Sequence, residues 1–139
     1  MKKLQALVLL PMDASYKRIA EVIEIALNQA GVTPILPRDI MWQNPRGMLD
    51  AMTNAIQEAD IIVADVSSSN PNIFFELGFA LAFRKPTIVM LSTNAVGGIP
   101  SDIAGYMMVT YDPDDMSSLE KKIFRFIEYQ VTRRSGNNA

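Results

Sequence analysis

Two aliphatic runs, Ala6-Leu7-Val8-Leu9-Leu10 and Ile61-Ile62-Val63-Ala64, show none of the apolar-polar alternation of a half-solvated strand, and Thr87 to Leu91 reads as a further strand. Runs of this length, apolar at consecutive positions, fit strands buried on both faces, the condition found inside a parallel sheet with a helix layer on each side. The stretches between them carry the 3.6-residue period of amphipathic helices, so strand and helix alternate along the chain. That alternation predicts a parallel sheet with right-handed crossovers and helices on both faces.

Pro11 stops the first strand, and Ser15 is placed to cap a helix from about Tyr16 to Ala30, with Ile19, Val22, Ile23, Ala26 and Leu27 at helical spacing and Gly31 as the stop. Val32 to Leu36 reads as a second strand, and Pro34, which cannot donate to a ladder, assigns it to a sheet edge. After a polar, proline-containing loop from Pro37 to Pro45, Leu49, Met52, Ala55, Ile56 and Ala59 mark a helix over Met48 to Ala59, with Asp50, Asn54 and Glu58 on another face. Asn70 as N-cap and Pro71 as first residue open a third helix reaching about Arg84, and Lys85-Pro86 ends it. A loop containing Gly97-Gly98 and Pro100 precedes Met107 to Tyr111, the fifth strand. Ser117 or Ser118 then caps a last helix carrying Leu119, Ile123, Phe126 and Ile127, and the tail from Arg133 is expected to fray.

These elements predict an α/β fold: a flavodoxin-like, Rossmann-like three-layer sandwich around a five-stranded parallel sheet of order 2-1-3-4-5. The 139 residues are enough for one such domain, expected over residues 1–134 with 135–139 as a tail.

Composition then narrows the chemistry. With no histidine and no cysteine, the chain has no His-based triad, no thiol nucleophile, no iron-sulfur ligand and none of the usual zinc ligands, so catalysis would fall to carboxylates, hydroxyls, amides or lysines. A net charge of -2, with basic residues scattered as in Lys17-Arg18 and Arg133-Arg134, argues against nucleic acid polymer as a partner. The start, Met1-Lys2-Lys3 and then Leu4 to Leu10, is interrupted by Gln5 and followed by Pro11-Met12-Asp13 rather than small cleavage-site residues, which favours a core strand over a signal peptide. No apolar run approaches the roughly 20 residues that cross a bilayer, and a soluble, cytoplasmic protein is expected.

In the expected architecture a ligand sits beyond the C-terminal strand ends, between strands one and three. This selects Pro11 to Tyr16, with Met12 and Asp13, then Asp65 to Asn72, and Ser92. Asp65 admits two readings, a ligand-binding carboxylate or a turn cap. Asn70 and Asn72 flank Pro71 at a helix N-terminus, where free N–H groups and the helix dipole hold a phosphate or a sugar hydroxyl, and capping alone accounts for Asn70 equally well. From Pro71 to Phe83 the helix reads PNIFFELGFALAF, and Glu76 is its sole ionisable residue. A helix apolar nearly all round is buried on more than one side, so one face is expected on the sheet and another against a second subunit. Glu76 is then partly desolvated, with a raised pKa unless donors hold it charged. The plain alternative is a glutamate on a solvent strip. Gly78 costs about 1 kcal/mol against alanine in mid-helix, and close packing on a neighbouring strand is its expected cause.

Ala59-Asp60-Ile61-Ile62-Val63-Ala64-Asp65-Val66, then Asn70-Pro71-Asn72-Ile73-Phe74-Phe75-Glu76-Leu77-Gly78-Phe79-Ala80, then Lys85-Pro86, resembles the central signature of the nucleoside 2-deoxyribosyltransferase superfamily. That superfamily includes the deoxynucleoside monophosphate N-glycosidases, and a similar pattern occurs in TIR-like nucleotide-binding proteins. The resemblance runs from the first strand to the fourth and is most specific over residues 59–86. It implies that Glu76 is the nucleophile on the anomeric carbon, that Asn70 touches the 5' end of the sugar, and that Asp50 is the acid assisting base departure. It also implies subunits that lend residues to each other's sites, hence a homodimer or larger homo-oligomer, and a small nucleoside or nucleotide as ligand. Where the transferases carry a Tyr-Leu-Ala-Gly-Pro-like run, this chain has Leu9-Leu10-Pro11-Met12-Asp13, nearer the TIR-like branch.

Two function classes follow: an enzyme acting on an N-glycosidic bond through Glu76, and a TIR-like module that binds or senses a nucleotide or cleaves NAD. A receiver domain shares the topology but fails on its residues, since only Asp13 follows the first strand and the fifth ends in Tyr111-Asp112 instead of lysine. The turn Pro11 to Ser15 has no glycine-rich loop for a flavin or dinucleotide carrier, and no cofactor and no metal are expected. Ser67 to Ser69 could cradle a phosphate or be an ordinary polar loop.

Overall fold

The computed structural model describes residues 2–40, 47–95, 97, 103 and 108–137. In chain order the elements are β1 (Gln5–Leu9), a 3-10 turn (Ala14–Tyr16), α1 (Lys17–Gln29), β2 (Thr33–Ile35), α2 (Pro37–Ile40), α3 (Met48–Glu58), β3 (Ile61–Asp65), α4 (Pro71–Ala82), β4 (Thr87–Ser92), β5 (Met108–Tyr111) and α5 (Met116–Asn137). The strands form one sheet of order β2-β1-β3-β4-β5 with every pairing parallel, as the aliphatic runs require.

Side-chain parity divides the sheet between two cores. Ala6, Val8, Ile61, Val63, Ile88 and Met90 face α1 and α5. Leu7, Leu9, Ile62, Ala64 and Val89 face α3 and α4. All five residues of β3 are buried, which is why no polar residue interrupts the run before its end. Pro34 sits at the edge as expected, opposite Ala6 in a strand that pairs only with β1 among the described residues.

Several boundaries depart from the sequence reading, each for a local reason. Ser15 does not cap the first helix: the Asp13 carboxylate accepts from Ser15 N at 2.9 Å and from its hydroxyl, which closes the 3-10 turn and delays α1 to Lys17. Gly31 does stop that helix, with a φ of 76° that disfavours a side chain. Part of the expected loop after β2 is the short helix α2, opened by Pro37 and tied by Leu36 N to the Asp39 carboxylate at 3.1 Å. Its continuation, residues 41–46, lies outside the described residues, as do Gly98, Pro100 and Met107. At α5 the cap is neither Ser117 nor Ser118, because the Asp115 carboxylate accepts from Ser118 N at 3.2 Å. The helix continues past Arg133 to Asn137, where fraying was expected.

Lys85 joins two layers. Its ammonium donates to the carbonyls of Gln57 at 2.7 Å and Ala59 at 2.8 Å, which satisfies the C-terminal end of α3 from the turn that follows α4. Lys85→Met is expected to lower the unfolding free energy by about 1–2 kcal/mol, measured by urea denaturation. Among the described residues no helix is long and apolar enough to cross a membrane, and no cluster of metal-ligating side chains occurs.

Candidate functional site

The α4 helix is positioned by its first turn and its inner face. Asn70 caps it, its side-chain oxygen accepting from Asn72 N at 2.9 Å, and Pro71 holds the first helical position. Ile73, Leu77 and Ala80 are buried against the sheet. Glu76 precedes Leu77 by one residue and so stands on the flank of that buried face, half-buried.

A cavity of about 750 Å³ opens beside it, beyond the C-terminal ends of β1 and β3 where the strand order reverses. Leu10, Met12, Leu49, Met52, Ile73 and Phe75 provide apolar wall, and Asn70, Asn72 and Glu76 provide polar wall. Glu76 is the one ionisable group among these lining residues. Burial pushes its carboxyl up to about 7, and among the described residues no hydrogen bond or ion pair offsets that cost. A carboxyl in this state is partly desolvated and close to half-protonated at neutral pH.

Met12, Asn70, Asn72 and Glu76 are thus brought together, while the other selected residues go elsewhere. Asp65 shares the parity of Ile61 and Val63 and therefore points to the α1/α5 side of the sheet, away from the cavity. It is fully buried, accepts from Ser67 N at 2.8 Å and from the Tyr111 hydroxyl at 2.5 Å, and is held above the usual carboxylate range by desolvation that outweighs these bonds. Burial, and after it the Asp65 charge, raises the Tyr111 hydroxyl, and the same two causes raise Tyr16. Ser92 has the parity of Met90 and is also buried; its hydroxyl accepts from Asn94 N at 3.1 Å and its own N–H reaches the Ser67 hydroxyl at 2.7 Å. Ser67 is thereby a structural link rather than part of a phosphate cradle. Asp13 lines a neighbouring cavity of about 230 Å³ with Tyr16 and Lys17. Asp50 is exposed on the side of α3 opposite Met52 and does not line the Glu76 cavity.

Sequence reasoning passed over Phe75, Leu49 and Met52 as walls and Tyr111 as the partner of Asp65. The signal for Phe75 was its place beside Glu76; β5 offered none for Tyr111. Gly78 also differs from expectation. It is exposed, and a Cβ built on it meets nothing within 4 Å among the described residues, so no neighbouring strand explains it. The outer face of α4 that it shares with Phe75 and Phe79 is apolar, with Phe75 54% exposed and Phe83, at the end of the helix, 40%.

No known family model and no curated protein matches the sequence. Among solved structures the chain is similar to the CMP N-glycosidase BcmB of Clostridium botulinum, with a TM-score of 0.62 and 18% identity over 86% of this chain and 97% of that one. It is similar to the TIR domain of a Toll-related receptor from Hydra magnipapillata, with a TM-score of 0.67 and 17% identity over 91% and 98%. The 2-deoxyribosyltransferase of Bacillus psychrosaccharolyticus gives 0.58 and 16% identity over 84% and 90%. The fold is therefore the one that nucleoside 2-deoxyribosyltransferase-like and TIR-like proteins share. A response-regulator receiver domain from Bacillus halodurans also matches, with a TM-score of 0.55 at 13% identity, so the choice of function rests on the site.

Proposed function

From a fold found in N-glycosidases, 2-deoxyribosyltransferases and TIR domains, we propose that this chain cleaves or transfers at the N-glycosidic bond of a nucleoside or nucleotide, with Glu76 as nucleophile. The observation that carries this reading is a single desolvated carboxylate on the wall of a largely apolar cavity at the sheet's switch point. Ionised Glu76 attacks the anomeric carbon, the bond to the base nitrogen breaks with its electron pair leaving on the base, and a glycosyl ester forms. Water then attacks the same carbon, freeing the carboxylate and the sugar, and its proton ends on the departed base. A second base in place of water makes the reaction a transfer. Asn70 and Asn72 are suited to hold sugar hydroxyls or a 5'-phosphate beside the amino end of α4.

Retaining glycosidases pair the nucleophile with a second carboxyl group as acid. Asp50 lies off the cavity, and no other acid lines it among the described residues, which favours a second form of the same reading. A base that already carries positive charge, the pyridinium of an NAD-like nucleotide, leaves without a proton and needs no acid. The part of the outer face of α4 away from the cavity, around Gly78 and the exposed Phe83, supports association of two copies. Gly78→Ala separates the cases: in a lone chain it adds about 0.5–1 kcal/mol of stability, whereas a helix packed closely on Gly78 reverses the sign, and thermal unfolding at several protein concentrations reads which holds.

The test is chromatographic detection of free base after incubating the protein with deoxynucleosides, their 5'-monophosphates, ribonucleotides and NAD, with and without an acceptor base. Release that disappears in Glu76→Ala is expected. Nucleotide binding without release from any of them would replace the enzyme with a sensing module.

A further inference from the structure

The α4 helix carries two adjacent rows beside the cavity, each spaced by one helical turn. Asn72 and Glu76, at i and i+4, form a polar row; Phe75 and Phe79, also at i and i+4, form an aromatic row next to it. Phe75 and Phe79 meet edge to face, with centroids 5.0 Å apart and planes at 82°. Phe75 lines the same cavity as Glu76 yet remains more than half exposed, with Leu49 and Met12 similarly exposed on the cavity wall. A half-exposed aromatic ring beside a desolvated carboxyl contributes little to the buried core.

We propose that Phe75 is the platform on which the base of the ligand stacks while the Asn72–Glu76 row takes its sugar; the inference rests on the nucleoside reading of the Glu76 cavity. A nucleoside has this same division, a polar sugar joined to a flat aromatic base at the carbon that Glu76 is proposed to attack. With the anomeric carbon at Glu76, the base is one bond away, within reach of the adjacent residue's ring. Stacking accepts any base, so Phe75 confers affinity for the aromatic group as a class, and discrimination among bases falls to other residues.

Binding is measured by calorimetry in the Glu76→Gln background, where ligand is not consumed, using AMP, CMP, NAD and ribose 5-phosphate as probes. Adding Phe75→Leu, which keeps apolar bulk without a π face, is expected to weaken the three base-bearing ligands by about tenfold or more and to leave ribose 5-phosphate, bound or unbound, as it was. Phe75→Tyr is expected to retain binding. Unchanged nucleotide affinity in Phe75→Leu, an equal loss for ribose 5-phosphate, or a change of sedimentation coefficient in place of an affinity change overturns the platform and assigns the ring to general packing or to a contact between copies. Glu76-dependent base release combined with a silent Phe75→Leu sinks the platform alone. Absence of binding by every nucleotide removes the nucleoside reading and the platform with it.

Discussion

Glu76→Gln is expected to abolish turnover and to make the protein more stable at the same time. Removing a nucleophile that forms the covalent intermediate lowers kcat by about three orders of magnitude or more. The stability gain follows from the direction of the pKa shift. Burial raises the folded-state carboxyl to about 7, so the folded chain holds its proton where the unfolded chain has lost it. As pH rises from the ordinary glutamate range through 7, ionisation therefore favours unfolding, and the loss is complete above the folded value. Glutamine removes that penalty: at pH 8 the variant gains about 1–2 kcal/mol, less than the full shift because the side chain keeps part of its contact with water, and near pH 4 it gains nothing. Thermal unfolding at the two pH values checks this; equal midpoints at pH 8 would mean that the carboxylate is solvated. With Glu76 as the proposed nucleophile, the rate is expected to climb with pH through about 7 as its carboxyl ionises, which a pH–rate profile checks.

Asp65→Ala carries the largest expected cost to the fold. It removes the acceptor of the Ser67 N–H and one partner of the Tyr111 hydroxyl in a buried place, and it cuts a side-chain bond from the end of β3 to the end of β5, leaving Tyr111 only its contact with the Ser67 side chain among the described residues. One buried group without a partner and a second with a weakened network cost on the order of 2–4 kcal/mol. Asp65→Asn, which keeps the volume and one acceptor, should cost clearly less, and Tyr111→Phe about 1–2 kcal/mol. Urea denaturation orders the three. A small effect of Asp65→Ala would mean that desolvation of the carboxyl, which holds it above its ordinary range, nearly cancels the bonds it makes.

The strand runs made the sheet legible, because a continuous aliphatic run within an alternating α/β pattern fits a strand covered on both faces and little else. Pro34 identified the edge through its missing donor. The cavity wall was legible at Glu76, a lone charge in an apolar helix, and at Asn70, the cap of that helix. The place of Asp65 was not legible, because parity tells that a side chain faces the side shared by Ile61 and Val63 but not which helices cover that side. Asp50 stood opposite the apolar row of its helix in the sequence already, and the family resemblance drew it toward a site its face does not meet. Gly78 showed a local cost without its reason, since helical period records a residue's own face and not what approaches it. Caps were the least legible: Asp13 and Asp115, close to serines of equal capping ability, took the donors first because a carboxylate is the stronger acceptor.

Because α1 packs against α5, the two faces of the sheet are completed at different times during synthesis. Most of the side that carries the cavity draws on β1, α3, β3, α4 and β4, all present once residue 92 has emerged. The opposite side waits for Leu119, Ile123 and Ile127, which are fully buried and come last. In a growing chain the residues of the cavity face are therefore nearly all present while the α1 side of the sheet still lacks Leu119, Ile123 and Ile127, which complete its core.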